Sequence, residues 1–514
     1  MNKDIVIVGG GTAGWLTAGI LAAEFKATEA VSITLIESPE VSTIGVGEGT
    51  WPTMRTTLKR IGISETDFLR RCSASFKQGS KFVDWRAGGS NDYYYHPFTL
   101  PTASAESDIH AVWCAHFSGQ RFADVAGMQA QVCEHNSAPK TMVMPEYAGA
   151  LNYGYHLDAG KFAELLQEYC TENLNVRHIR DHVERIESAE NNDIAAVVTR
   201  QHGAIAGDLF IDCTGSRSLL LGDHYQIPFV DCSQYSINDR AMAVQVPYAE
   251  DNAPVASATI ATAQESGWTW DIGLTTRRGV GYVYSSAHST EAQAQTQLRQ
   301  YLRNSVSASV LDTLSPRVLT ISPGHRQKFW HHNCVAVGMS AGFIEPLEAS
   351  ALALVELSAN MIRDEFPQSR ETMEIVSQRF NAVFNYRWQR IIEFLKLHYV
   401  LSERRDTEYW RDVTARETCP VALQELLLLW RDRSPTVRDF LHAEELFPAA
   451  SYAFVLYGMG FETSSMNQQR SSANIEYGLT AVSEVGKKLD RHLSGLPSNR
   501  ELLTAISEHR LSKI

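Results

Sequence analysis

Gly9-Gly10-Gly11-Thr12-Ala13-Gly14 and the carboxylate of Glu37 carry the clearest chemical signal in this sequence. Glycines at the first, third and sixth positions permit a tight turn, bring backbone amides close to a pyrophosphate, and let a helix pack against the strand before it. A helix opening at Thr12 would aim its positive dipole end at the phosphate charge. Glu37 stands where a carboxylate accepts hydrogen bonds from a ribose. The chemistry is dinucleotide binding; the alternative is a glycine-rich turn in a βαβ unit without a nucleotide.

Further along, other residues could bind or react. The stretch from Val41 to Thr50 contains Gly45, Gly47 and Gly49, which suits either close approach to a ligand or a plain flexible loop. Lys77 lies in a short segment around Phe76 and Phe82, and on spacing alone it reads as a solvated surface charge. His96 and Phe98 follow three tyrosines, an arrangement that fits a satisfied histidine in an aromatic core as well as a ligand contact. Two more apolar runs leave at glycine corners, Ile211-Asp212-Cys213-Thr214-Gly215 and Cys334 to Gly338. The first is expected to bring a second loop to the cofactor edge. The second leads through Phe343-Ile344-Glu345-Pro346-Leu347-Glu348 into a helix, with Pro346 expected in its first turn. Amides after it would be unpaired donors able to hold an anion, and Glu348 reads equally well as a capping residue. Tyr452, Phe454 and Tyr457 are expected between helices, where they could line a pocket for a flat substrate.

The elements that would position these groups follow from periodicity. Ile5-Val6-Ile7-Val8 is a β-branched strand, Trp15 to Ala18 opens an Ala/Leu-rich helix, and Val31 to Ile36 is a second strand. Residues 51–72 read as a helix, Asp158 to Cys170 as an amphipathic helix, and Val176 to Ile186 as strands. The stretch from about 231 to 322 is β-rich and predicts a second sheet, in which Trp268, Trp270 and Ile272 share a face. From about 366 the chain reads as helical throughout. The expected fold is α/β: a Rossmann-like dinucleotide-binding module over 1–365 that includes the additional β-sheet, and a mostly helical C-terminal module over 366–514 that could complete a substrate pocket.

Composition narrows the function. The 514 residues carry a formal charge of −13, which argues against nucleic acid, whose binding needs a basic face. Eight cysteines without a Cys-x-x-Cys pair fit reduced thiols in the cytoplasm rather than a disulfide framework or a zinc site, and no metal is expected. Only four residues precede Ile5, so no cleavable targeting segment is expected, and three glutamates within Phe343 to Ile362 exclude that run as a membrane span. The reading leaves room for a homodimer.

Taken together, these landmarks resemble the flavin-dependent halogenases of the tryptophan halogenase-like family along nearly the whole chain. Gly9 to Gly14 is similar to the family's FAD fingerprint, Trp268-x-Trp270-x-Ile272 to its Trp-x-Trp-x-Ile-Pro signature, and Phe343 to Glu348 to its Phe-x-Glu-Pro-Leu-Glu segment. The resemblance implies catalytic roles for Lys77 and Glu348, and cofactor contacts at Gly9, Gly11, Thr12, Ala13, Gly14, Glu37, Gly47 and Gly338. It implies a halide on the amides of Ser350 and Ala351, and a substrate pocket at His96, Phe98, Tyr452, Phe454 and Tyr457. It also implies FAD as the dinucleotide of the Rossmann-like module, delivered as FADH2 by a separate flavin reductase, with O2 and bromide or chloride as co-substrates and a small aromatic as acceptor. Two departures stand out: Gly273 replaces the signature proline, and Ala349-Ser350-Ala351 replaces Ser-Thr-Gly. The second resembles a branch that prefers bromide and free indole. Rival readings are an FAD-dependent aromatic monooxygenase or dehydrogenase on the same scaffold, and a flavin-binding redox sensor without turnover.

Overall fold

The structure is a computed structural model that describes residues 3–27, 31–41, 47–89, 91–104, 107–442, 444–464 and 472–513. Gly45 lies outside the described residues. The chain forms two compact units, each discontinuous in sequence: 1–74, 157–233 and 321–388 make unit 1, and 75–156, 234–320 and 389–514 make unit 2. This division differs from a single cut at 365. Strands distant in sequence pair within each unit, so the chain leaves and re-enters both, and the second sheet is grouped with the helical C-terminal segment.

Unit 1 is built on a six-stranded sheet in the order Trp330–His331, Cys334–Ala336, Leu209–Asp212, Lys3–Val8, Val31–Glu37 and Arg177–Arg180. All neighbours are parallel except the first pair. Ile5, Val6, Ile7 and Leu35 are buried, as strands covered on both faces require. The helix Thr12–Phe25 is apolar nearly all round and is buried from Trp15 to Ala22. The span expected as one helix over 51–72 is two, Thr53–Ile61 and Glu65–Arg71. Gly62 takes a left-handed conformation, φ 97°, and its amide closes on the Leu58 carbonyl, while Ser64 caps the second helix by accepting from the Asp67 amide.

The third glycine exit also differs from expectation. Its helix begins at Ser350, four residues beyond Pro346, because Ala349 turns left-handed (φ 54°) at the N-cap. Proline therefore stands ahead of the helix rather than in its first turn, and Ala349, not Glu348, holds the N-cap position.

In unit 2 a seven-stranded sheet runs Arg317–Thr320, Arg240–Pro247, Arg277–Tyr284, Gly267–Gly273, Thr259–Ala263, Gly79–Val83 and Tyr93–Pro97. One face packs on the helix Glu291–Leu302. Met242, Val244, Val246, Val280, Tyr282 and Tyr284 meet Ala294, Leu298 and Leu302, so a period of two on the strands faces a period of four on the helix. Trp268, Trp270 and Ile272 are buried, but so is the whole strand, which lies inside the sheet with both faces covered. Trp270 lies across Gly281 on the neighbouring strand, where a β-carbon would overlap the indole. The helices of this unit include Val421–Asp432, Ala449–Gly458 and Asn499–Glu508. Tyr452, Phe454 and Tyr457, expected between helices, lie within one, because Pro448 at its N-cap and Gly460 (φ 76°) after its end bracket the run.

Candidate active site

Unit 1 shapes its first turn by close approach. The Gly9 amide donates to the Ile36 carbonyl at 2.8 Å, and a β-carbon on Gly9 would overlap the carbonyl of Cys213. A β-carbon on Gly10 would run into the Glu37 side chain, and one on Gly14 into the Gly9 carbonyl. Gly11 is the N-cap, and no acidic residue stands in the first helical turn. Helix geometry leaves the first amides as donors at a positive dipole end.

A cavity of 590 Å³ opens at this turn, a volume suited to a cofactor. Gly9, Gly11, Thr12, Ala13 and Glu37 line it. So do Cys213, Thr214 and Gly215 from the second glycine corner, and Gly338, Ser350 and Ala351 from the third exit. Gly14 is behind the lining, packed on Gly9, and Gly47 contributes only through its neighbour Glu48. Glu37 accepts from His178 Nε2 at 2.9 Å, and that ring packs edge-on against Trp15 at 4.9 Å, which fixes the carboxylate at the cavity wall.

Sequence reasoning missed the residue that joins two of these corners. Asp212 is fully buried, and its carboxylate accepts from the Thr214, Leu220 and Leu221 amides at 3.0, 2.8 and 2.9 Å. Its carbonyl accepts from the Val337 amide and the Ser340 hydroxyl. An acidic residue closing an otherwise apolar strand was the available signal, because a carboxylate there must be satisfied by nearby amides. Glu48 and Arg217 also line the cavity and were not singled out. Burial pushes the Glu48 carboxyl up to about 7. Glu348 is buried, and its carbonyl accepts from Trp51 Nε1 at 2.9 Å.

Unit 2 holds the other residues singled out. Lys77 is 1% exposed, which removes the solvated-charge reading, and its ammonium lies 5.4 Å from the centre of the Phe98 ring. It ends the strand Ser75–Lys77, which pairs antiparallel with Gly154–Asp158. His96 pairs with Ser80, shares a hydrogen bond with Ser451 Oγ at 2.9 Å, and packs against Phe394. Tyr452 meets the same Phe394 ring edge-on at 4.9 Å. Phe454 and Tyr457 instead pack on Phe122, and Tyr457 stacks on His110 at 3.7 Å. The structure thus gathers Lys77 with Phe98, and His96 with Tyr452 around Phe394, while Phe454 and Tyr457 join a separate aromatic group.

The tryptophan halogenase family matches residues 4–474 of this chain. The chain belongs to the tryptophan halogenase family. Tryptophan 6-halogenase SttH of Streptomyces toxytricini is 32% identical over 99% of both chains. A solved tryptophan halogenase from Shewanella frigidimarina is 48% identical and superposes with a TM-score of 0.96 over 100% of this chain and 99% of its own. BrvH, a flavin-dependent halogenase from Brevundimonas sp. BAL3, is 29% identical with a TM-score of 0.85 over 98% of this chain and 99% of its own. This protein is accordingly a flavin-dependent halogenase, an enzyme with a mixed α/β fold.

The residues present fit the flavin cofactor. The close-approach glycines, the helix N-terminus and the carboxylate of Glu37 meet at one cavity, which is what FAD requires of its binding groups. Gly273, where the halogenase signature has proline, sits in a tight corner. A β-carbon there would lie 2.9 Å from Val255 and 3.0 Å from the Tyr248 hydroxyl, and the Gly273 carbonyl accepts from Ser75 Oγ. Among the described residues, no helix is long and apolar enough to cross a membrane.

Proposed function

We propose that this halogenase brominates an electron-rich aromatic, indole or a tryptophan-like ring, with Lys77 presenting the electrophilic halogen and Glu348 taking the ring proton. The observation that supports this most is the burial of Lys77 against Phe98. A buried ammonium is costly unless it is paired, and this one also stands at the face of an aromatic residue, a setting suited to chemistry on an aromatic ring. Reduced flavin, O2 and halide supply hypohalous acid. The protein's own part is to hold that oxidant beside one carbon and to exclude water while it reacts. Lys77 suits the first task, since its ammonium can donate to the hypohalous oxygen and polarise the oxygen–halogen bond. Glu348, buried at 4% exposure, suits the second, and its negative charge would steady the cationic ring before the proton leaves.

In this reading FADH2 arrives from a separate reductase and binds at the cavity of unit 1, with the halide on the amides of Ser350 and Ala351, at the start of their helix. His96, Phe98 and Tyr452 form the aromatic surround of the substrate, the helical residues 366–514 completing it, while Phe454 and Tyr457 belong to the separate aromatic group on Phe122, and the enzyme works in the cytoplasm. Bromide is favoured for two reasons: Ala351 puts a methyl group where the family has a bare glycine, which restricts approach, and bromide is the easier halide to oxidise. A relative of 31% identity, Tar14, is described as a tryptophan C-6 chlorinase, so the halide is the sharper part of the proposal.

The test is product formed per FADH2 consumed, under flavin saturation. Lys77→Ala is expected to abolish halogenated product and leave flavin binding and FADH2 oxidation intact. Glu348→Gln is expected to lower product strongly but less completely, because shape and hydrogen bonding remain. Near-normal coupling in Lys77→Ala would remove the main support for this mechanism.

A further inference from the structure

The strand that carries Lys77 pairs with one that carries a buried histidine, His156. In the antiparallel pair of Ser75–Lys77 with Gly154–Asp158, Ser75 lies opposite His156 and Lys77 opposite Gly154. Residues opposite each other share a face, and side chains alternate along a strand, so Ser75, Lys77 and His156 project from the same face. Phe76 and Tyr155 occupy the other face, where their rings pack 6.3 Å apart. Gly154 has no side chain, so nothing on that residue separates the Lys77 stem from the diagonal position of His156.

His156 is fully buried. Its Nε2 shares a hydrogen bond with Thr259 Oγ1 at 2.8 Å. Its Nδ1 is buried with no hydrogen-bond partner among the described residues. A buried polar atom left without a partner is costly, and such atoms mark places where a ligand, a water or a moving group completes the set. Burial, and then the positive charge of Lys77, hold the imidazole neutral. A neutral ring carries one N–H. Beside a cation the favoured tautomer keeps the lone pair on Nδ1 and the proton on Nε2, which then donates to Thr259.

We propose that His156 is a positioning residue for Lys77, its Nδ1 lone pair serving as acceptor for an Nζ–H when the lysine engages hypohalous acid. This rests on the role given to Lys77 above and decides between two ways of filling it. As an ammonium, Lys77 donates one N–H hydrogen bond to the hypohalous oxygen and a second to Nδ1, keeps all three of its protons, and forms no covalent bond. The other way needs the neutral amine, R–NH2 + HOX → R–NHX + H2O, after loss of a proton from the ammonium. A lone pair accepting from Nζ in this way would stabilise the ammonium and so favours the first. The neutral, buried ring is a poor proton acceptor, which also disfavours the second.

The two ring nitrogens can be tested separately. Asparagine places a polar atom near the position of Nδ1 and glutamine near that of Nε2. Product per FADH2 consumed is measured at flavin saturation for wild type, His156→Asn, His156→Gln, Thr259→Val and Lys77→Ala, with flavin affinity and thermal midpoint as controls. His156→Gln is expected to lose about tenfold or more in coupling, and His156→Asn to stay within about threefold of wild type, at equal flavin affinity. Thr259→Val, which frees the tautomer, is expected to fall between them. Equal coupling in the asparagine and glutamine variants, whether both high or both low, overturns the proposal. If His156→Gln does not fold, Thr259→Val decides: wild-type coupling there overturns it, and reduced coupling supports it. Lys77→Ala separates the two claims, because retained coupling in that variant sinks the lysine mechanism itself, whereas its loss beside equal His156 variants sinks only this inference.

Discussion

Gly338→Ala probes how the third glycine exit closes on the first glycine turn. Gly338 has φ +76°, and a β-carbon there would lie 2.7 Å from the β-carbon of Ala13. The left-handed backbone costs a residue with a β-carbon about 1–2 kcal/mol. Overpacking a rigid contact of this kind costs about 1–3 kcal/mol more. The expected destabilisation is therefore about 2–5 kcal/mol. Ala13→Gly removes the atom that would be struck and by itself costs about 1 kcal/mol in a helix. The double variant should recover the overlap but not the backbone cost, giving a favourable coupling of about 1–3 kcal/mol. Urea unfolding of the four proteins, followed by far-UV circular dichroism, measures each quantity. FAD affinity should fall in Gly338→Ala and partly return in the double variant, since both residues line the cavity. Additivity within about 0.5 kcal/mol would refute the packing argument, and wild-type stability in Gly338→Ala would refute both parts of it.

Glu356 accepts from Thr53 Oγ1 at 3.0 Å and from the Thr57 hydroxyl, and burial pushes its carboxyl up to about 7. A carboxyl whose folded value lies above its unfolded one stabilises the fold fully below about 4.5, and that contribution is lost as pH rises through about 7. Glu356→Gln should therefore be less sensitive to pH than wild type between pH 5 and 8, by up to about 3 kcal/mol, and a wild-type slope in the variant would contradict the assignment. Bromide should be used faster than chloride at equal concentration, as read by mass spectrometry of the product; the reverse order would end the halide argument. NADH or NADPH alone should not bleach the bound flavin in an anaerobic cuvette, whereas a hydroxylase on this scaffold would reduce it directly.

The glycine turn at Gly9 to Gly14 was legible in the sequence because every requirement on it is local. A β-branched strand, glycines at fixed offsets and an Ala/Leu-rich helix dictate the turn within a few residues, and the cavity lining at Gly9, Gly11, Thr12 and Ala13 follows. Glu37 was legible for the same reason, since the βαβ unit sets its distance along the chain. Helix boundaries were less so. Residues 51–72 have helical periodicity throughout, and Gly62 breaks the run only because its left-handed conformation closes on Leu58. The start of the helix at Ser350 was displaced by the backbone of Ala349, a residue type that gives no warning of φ 54°.

Long-range pairing decided the rest. Lys77 reads as a surface charge in any window of its own neighbours. It is buried because its strand pairs with Gly154–Asp158, far away in sequence, and because Phe98 lies against its ammonium. Asp212 gave a weak local sign of its role, since the Val337 amide and Ser340 hydroxyl that its carbonyl accepts from arrive from a distant strand exit. The unfilled Nδ1 of His156 had no sequence signal at all. Which ring nitrogen is satisfied depends on Thr259 meeting one side of the imidazole, and that meeting is made by the tertiary fold. Composition and short-range spacing fix backbone turns and the groups within one turn of them, whereas burial, partner and protonation state belong to contacts between segments that only folding brings together.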